Sequence, residues 1–471
     1  MKVRIYSPFL PYPVTEGAYR VIFDQAFSLL ALGHDVELVT WKNSPGEFKS
    51  RAGLWKTWRK TSGNAWDKSG AKAKAHEKAD GETHGRKLQF RYLGPHTDSR
   101  TLRILSSCWG NEASPESFYY PKAVLNRLKA LLPCDLAIYH YSFAHLWLKF
   151  PELLPLEKRR VVHFHNLESD LSFLQLQNLR TLPKVLPKAL PKVLPKALPK
   201  VWGAALATVL QCWIHRKNFE KLKIHETELS GLSQELWFLS PVDLAKFQTL
   251  ENLSGQAILR LIPPTFSAEI SRWSPQEAVV TAQQTVLGFI GGFDFQPTID
   301  SAKWILNRLV PALEEAGFKG KVQIAGRGAQ AMIPTLSTHL KAYPDNLKAY
   351  PEGKSPHPEG RSPMVEVLPD SFDVDVFFAG LSWMLVPHLT GSGVRIKLLD
   401  ALSKKIPVMA TPSAVERLHP ELHEYPLILS SDDPVFWANQ ALLETPQGTR
   451  LKYHDLAFPQ AMSGMEIYRD V

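Results

Sequence analysis

The sequence predicts an α/β protein made of two doubly wound halves, each a parallel sheet flanked by helices. Three observations predict it. Short β-rich runs alternate with segments of helical apolar spacing, the alternation occurs twice along the chain, and hydrophobic residues make up 44% of the 471 positions, enough for two buried cores.

In the first half, residues 3–7 (VRIYS) and 35–40 (DVELVT) read as strands, and Arg20 to Leu32 carries apolar residues at helical spacing up to Gly33. A strand, helix and strand in this order imply a right-handed crossover and hence parallel pairing. Further strands are expected at 88–93, 135–140, 160–164 and 235–240, with the half closing near residue 265. The second half opens at 286–291 (VLGFIG) and continues through a helix over 299–316 to a strand at 321–325, followed by Gly326, Arg327 and Gly328. A strand at 383–387, a helix over 394–403 and a strand at 406–410 complete it. The expected domains are 1–265, a linker over 266–285, and 286–471, both domains Rossmann-like.

Two segments break the rhythm. Residues 42–87 are rich in Lys, Gly, Ala, Ser and Trp without a steady period, and read as an insertion after the second strand. Residues 182–201 repeat Leu-Pro-Lys every four residues, and proline at that frequency predicts extended or turn-rich chain instead of a continuous helix. That segment is either a tolerated linker or a contact for an anionic membrane surface, since Leu and Lys together supply apolar insertion and positive charge.

The net charge of +9 is unevenly placed. Residues 41–90 hold 12 Lys/Arg against 5 Asp/Glu, and residues 181–200 hold five lysines and no acid, so the remainder is slightly acidic. This distribution argues against a nucleic-acid-binding core. Cys108, Cys134 and Cys212 show no paired spacing, which predicts neither a disulfide framework nor a zinc site and fits a reducing cytoplasm. The opening residues, MKVRIYSPFL, run straight into a strand and lack the pattern of a secretory signal. No apolar run reaches the roughly 18 residues that suggest a membrane span, so the expected setting is cytoplasmic, with peripheral contact at the inner face of the membrane as the further option.

The chemistry is concentrated in residues 386–402, VPHLTGSGVRIKLLDAL. A strand ends, Gly391, Ser392 and Gly393 leave backbone N–H groups bare, and a helix begins, which makes an anion site with the helix dipole behind it. Counting from Gly393, Lys397 and Asp400 fall at i+4 and i+7, on the face of the glycine turn, with Leu398, Leu399 and Leu402 opposite. A diphosphate beside Arg395 and Lys397, with a ribose bonded to Asp400, would use each charge according to its sign. The bland reading is a solvated helix with a Lys/Asp pair.

The run GSGVRIKLLDALSKKIPVMAT, residues 391–411, resembles the donor segment of retaining GT-B glycosyltransferases of the group-1 (family 4) type. Pro11-Tyr-Pro with Gly17 and Arg20, the LGHDV run beginning at Leu32, His165-Asn166, GGFDFQP from Gly291, and IAGRG from Ile324 are similar to further stretches of that family in order and spacing. The resemblance implies two Rossmann-like domains facing a cleft and metal-independent transfer of a sugar, with retention, from a nucleotide-diphosphate sugar. It implies no cofactor beyond that donor and no resident metal. Electrostatic help to the departing diphosphate would come from Arg395 and Lys397, and His165 would face the transferred sugar. Gly17, Gly292, Gly391, Ser392, Gly393 and Val394 would line the donor, Asp400 would hold the ribose, and Arg327 and His388 stand where they could touch it. The alternative readings are that Arg327 caps its turn and that His388 faces solvent. His163, Trp304 and Trp383 read first as core residues.

Two departures from the family pattern stand out. Where the family carries two glutamates separated by seven residues, this chain has Ser392 and Asp400; the Arg and Lys that often follow the Gly-Gly of the donor domain are absent, Phe293 and Pro297 standing near those places. The partners implied are a nucleotide sugar and an unidentified glycan or lipid-linked acceptor, in the synthesis of a cell-surface polysaccharide, glycolipid or glycan. The second reading is a catalytically degenerate sugar-nucleotide-binding or scaffold module.

Overall fold

The computed structural model describes residues 1–8, 17–41, 81–83, 86–92, 127–128, 131–149, 156–181, 198–250, 257–265, 285–336, 365–370, 374–389, 392–443 and 467–469. The chain divides into two compact units, Met1–Ile262 and Pro263–Val471.

The first unit is built on strands β1 (Lys2–Tyr6), β2 (Asp35–Thr40), β3 (Gly81–Thr83), β4 (Arg86–Tyr92), β5 (Cys134–His140), β6 (Glu157–Phe164), β7 (Glu235–Phe238) and β8 (Ile258–Leu261). They lie in the order β3-β4-β2-β1-β5-β6-β7-β8, parallel throughout except for the β3–β4 hairpin. Helices α1 (Gly17–Ala31), α2 (Glu168–Thr181), α3 (Leu198–Leu232) and α4 (Pro241–Gln248) accompany the sheet. Alternate residues of β1 are both buried, Val3 and Ile5 as well as Arg4 and Tyr6, as a sheet covered on both faces requires. The buried Arg4 is tolerated because Glu37 accepts its Nε–H at 2.7 Å and also takes a bond from Arg91 at 2.8 Å.

The second unit carries β9 (Val286–Ile290), β10 (Lys321–Ala325), β11 (Val365–Val367), β12 (Trp383–Val386), β13 (Val408–Ala410) and β14 (Ile428–Ser430). Their order is β11-β10-β9-β12-β13-β14, all parallel. Helices α5 (Gln296–Trp304), α6 (Val310–Glu315), α7 (Ala329–Leu336), α8 (Val374–Gly380), α9 (Ile396–Ser403) and α10 (Pro434–Leu443) belong to it. Its core gathers Leu287, Phe289, Ile305, Leu309, Val322, Leu385 and Trp437. Trp383 is 5% exposed and Trp304 packs edge-on against Trp437 at 4.8 Å, the core roles expected of them. Among the described residues no helix is long and apolar enough to cross a membrane.

Four features differ from the sequence expectation. The helix expected over 299–316 is interrupted by a π turn at Ile305–Leu309, beside Pro311, which has no N–H to offer the regular ladder. Helix α9 starts at Ile396, with Arg395 as its N-cap, while Gly393 sits before it at φ +76°. Gly393 therefore does not share a helical face with Lys397 and Asp400. The last part of the Leu-Pro-Lys repeat, from Leu198, is the first turn of α3; Pro199 is acceptable there because N–H groups of a first turn have no intrahelical acceptor. Residues 182–197 lie outside the described residues. Finally, β3 and the start of β4 fall inside the segment read as an insertion; its residues 42–80 lie outside the described residues, as do 266–284 of the expected linker.

Candidate anion site in the second unit

In the second unit β9 and β12 are neighbours, yet the chain leaves β9 toward β10 and β11 before returning to β12. Such a reversal of strand order is the point at which doubly wound sheets form a crevice beyond the carboxyl ends of their strands and bind ligands. The chain places glycine at that spot. Gly291 and Gly292 follow β9, and Gly326 and Gly328 follow β10 with φ of +125° and +79°. At Gly326 a side chain is impossible as well as strained, since its Cβ would lie 1.9 Å from the Gly291 carbonyl oxygen. At Gly291 a Cβ would meet the Thr298 side chain at 2.7 Å and the Lys397 ammonium at 3.4 Å. Glycine here lets two backbone turns and a cation come together.

Lys397 leaves the first turn of α9 and reaches the carboxyl end of β9. Its Nζ donates to the Ile290 carbonyl at 2.7 Å and stands 4.4 Å from the centre of the Phe289 ring. Burial, with Arg395 adding repulsion, lowers its pKa to about 7. Arg395, at the N-cap, donates from Nη2 to His388 Nε2 and to the Ser392 carbonyl, both at 2.9 Å. An arginine donates only, so His388 accepts at Nε2 and carries its ring proton on Nδ1 when neutral. His388 is 5% exposed, so it does not face solvent; its backbone N–H donates to Thr411 Oγ1 at 2.9 Å, and its carbonyl accepts from Thr411 and Ser413. Two cations, a fixed imidazole and the amino end of α9 thus meet beyond β9 and β12, an arrangement suited to a phosphate.

The remaining predicted residues divide around this centre. Ser392, Gly393 and Val394 form the turn leading into α9, with Gly393 buried. Asp400 is half-buried one turn further along α9, and its carbonyl accepts from Ser403. Arg327 is exposed and pairs with Asp294, itself exposed, at 2.7 Å, while the neighbouring Gly328 N–H donates to Asp370. Gly292 adjoins that pair, 3.8 Å separating its imagined Cβ from Arg327. Gly391 lies outside the described residues, and Gly17 is the first residue of α1 in the other unit.

In the first unit His165 follows β6 directly and is 7% exposed. Its Nε2 meets His140 Nδ1 at 2.8 Å, and His140 Nε2 meets Gln25 Oε1 at 2.9 Å. The Gln25 amide nitrogen in turn meets His163 Nδ1 at 3.1 Å. Burial pushes all three imidazoles down, His163 to about 3, so they are neutral at physiological pH. His163 is the core residue expected, but it is tied to His165 through two partners that sequence reading missed, Gln25 and His140. The available signal was three histidines at the carboxyl ends of two successive strands. Tyr141, at φ +77°, stands beside His165 with ring centres 4.5 Å apart.

Among the described residues no group of three or more His, Cys, Asp or Glu side chains is arranged to hold a metal ion. No protein-family model matches the chain, and no curated protein matches its sequence. Solved structures do match over the whole chain. An α,α-trehalose-phosphate synthase (UDP-forming) from Burkholderia xenovorans, in complex with glucose-6-phosphate, aligns at TM-score 0.54 and 10% identity, covering 100% of this chain and 98% of that one. HepE of Anabaena, in complex with UDP and glucose, aligns at 0.53 and 11%, covering 100% and 98%. Sucrose-phosphate synthase from Thermosynechococcus elongatus aligns at 0.50 and 13%, covering 100% and 94%. The likeness is one of fold, and it establishes the two-domain GT-B architecture.

Proposed function

We propose that the protein is a glycosyltransferase that takes a sugar from a nucleotide-diphosphate sugar held by the second unit. The observation that carries this reading is the crevice beyond β9 and β12, where the glycine turns, Lys397 and the Arg395–His388 pair converge. Two of the solved structures of the same fold are complexes, one with UDP and glucose and the other with glucose-6-phosphate, which is in keeping with it.

In the reaction the bond between the anomeric carbon and the diphosphate oxygen breaks, and its electron pair leaves with the phosphate. The acceptor hydroxyl forms the new C–O bond, and its proton passes to the leaving phosphate. Negative charge grows on the leaving oxygen, so cations already in place stabilise the transition state more than the ground state. Lys397 and Arg395 fill that role, and Asp400 is suited to hold ribose hydroxyls. The sequence resemblance adds retention of configuration, and it puts His165 toward the transferred sugar. The acceptor is a glycan or lipid-linked saccharide, in keeping with the lysine- and leucine-rich repeat ahead of α3, which suits an anionic membrane surface.

The test needs no acceptor. Slow transfer to water should release nucleoside diphosphate and free sugar from the correct donor, with proton NMR showing the anomer of the donor before mutarotation. Lys397→Ala should slow this by about 10²-fold, the scale for loss of one preorganised charge-stabilising group. Donor binding without any turnover, with water or with saccharide acceptors, would move the reading to a sugar-nucleotide-binding scaffold.

A further inference from the structure

We infer that Gln25 and His140 are positioning residues: through a one-way hydrogen-bond chain they hold His165 as its Nε2–H tautomer, leaving Nδ1 as a bare acceptor. The inference deepens the proposed function, since it gives His165 a defined chemical face.

The direction follows from what each group can give. The Gln25 amide nitrogen only donates, so His163 accepts at Nδ1 and carries its proton on Nε2. The Gln25 amide oxygen only accepts, so His140 donates from Nε2 and, being neutral, has a bare Nδ1. That nitrogen lies 2.8 Å from His165 Nε2, which must then carry the proton. His165 is neutral as well, so its Nδ1 is left with a lone pair. The far end of the chain fixes which way the Gln25 amide lies. The Ile262 backbone raises the proton affinity of the His163 ring, as a nearby carbonyl does, and with Nδ1 taken by Gln25 the nitrogen left to feel it is Nε2, which makes no hydrogen bond; a carbonyl tolerates an N–H there but repels a lone pair. Turning the amide over would set two acceptors against each other in a fully buried site, where His140 and His163 are 0% exposed.

The fold supplies the geometry. His140 and His163 are register partners across β5 and β6, which brings their rings to 5.3 Å, and His165 lies two residues on from His163. Helix α1 delivers Gln25 between the first two rings. His165 Nδ1 makes no hydrogen bond among the described residues. A lone pair there accepts from a hydroxyl and repels a carboxylate or phosphate oxygen. The ligand group that meets His165 is therefore a sugar or acceptor hydroxyl, and the same nitrogen can take up a proton while His140 holds the other side of the ring.

The test is long-range 15N–1H NMR on the whole protein with 15N-labelled histidine, peaks being assigned by single histidine substitutions. The expected result is Nε2–H for His140, His163 and His165 alike. Gln25→Glu, which has no donor, should move His163 to Nδ1–H and leave His165 as it was. His140→Phe should release His165 into a mixture of both tautomers. A His165 Nδ1–H form in the wild type, or an unaltered His165 in folded His140→Phe, overturns the inference. These spectra stand whether or not a nucleotide sugar binds, so failure of the proposed function is distinguishable. Where turnover is measurable, His140→Phe should lower kcat about tenfold with little change in donor KM, the scale for loss of a partner that orients a working imidazole. It should add nothing to His165→Ala.

Discussion

Lys397 holds its ammonium among Phe289, the Ile290 carbonyl and two glycine turns, beside a second cation, and that combination brings its pKa down to about 7. An arriving diphosphate supplies the missing counter-charge and raises that pKa, so binding takes up a proton whenever Lys397 starts out neutral. Affinity for a nucleotide-diphosphate sugar should therefore be highest below pH 7 and fall above it, by up to about tenfold per pH unit. Calorimetry from pH 6 to 9, in buffers of different ionisation enthalpy, should show proton uptake at pH 8. Lys397→Met should flatten the profile and weaken binding at pH 6.5 by roughly 10- to 100-fold, the value of about 1.5–3 kcal/mol for a charge-assisted bond. A flat wild-type profile would remove Lys397 from the site. The glycine turn and the cations could be read from residues 386–402 because they are local. The burial of His388 and the tie between Gln25 and His163, 138 positions apart, depend on packing that no local pattern records.

At the scale of elements, the junction of β6 and α2 is clamped onto α3. Glu226 of α3 accepts from the Ser169 backbone at 3.0 Å and from the Ser169 hydroxyl. Burial, reinforced by the charge of Glu226, pushes Glu168 up to about 8, and burial pushes Glu226 to about 7. A carboxyl whose folded pKa is raised contributes stability that is fully present below its unfolded value and is lost as pH rises through its folded one. The first unit should therefore lose stability between about pH 4.5 and pH 8, and Glu168→Gln should remove part of that slope in urea unfolding measured at pH 6 and pH 8. An unchanged slope would mean that the pair is hydrated. Helix α3 shows why elements differ in legibility. Its buried positions include Leu222 and Leu229 but also His225, Glu226 and Ser230, so the apolar stripe that signals a helix is broken, and Pro199 obscures its start. Strands β11 and β14, at three residues each, are too short to show a period, whereas β1, β5 and β9 are apolar enough to be recognised.

Over the whole molecule, each unit repeats one design: a sheet that starts in its middle, grows to one side, then returns to grow on the other. In the second unit the charged groups sit at that reversal, and in the first the histidines gather at the carboxyl ends of β5 and its neighbour β6. This repetition is why the two-domain fold could be read from strand and helix alternation alone, while the chemistry needed the side chains. Each unit has its own core, so a nucleoside diphosphate without its sugar, held by the second unit, should slow hydrogen exchange around residues 288–293 and 386–398 and leave β5 and β6 exchanging as before. Protection confined to the first unit would place the nucleotide elsewhere.

The most direct measurement is a calorimetric titration of the wild-type protein at pH 6.5 with UDP, GDP, ADP and their sugar conjugates, alongside Lys397→Ala and Asp400→Ala. The account predicts micromolar binding of one nucleotide series, weakened by both substitutions, with Lys397→Ala losing the larger share. Binding that ignores both substitutions, or no binding in any series, would contradict the claim that the crevice beyond β9 and β12 is a nucleotide-sugar site.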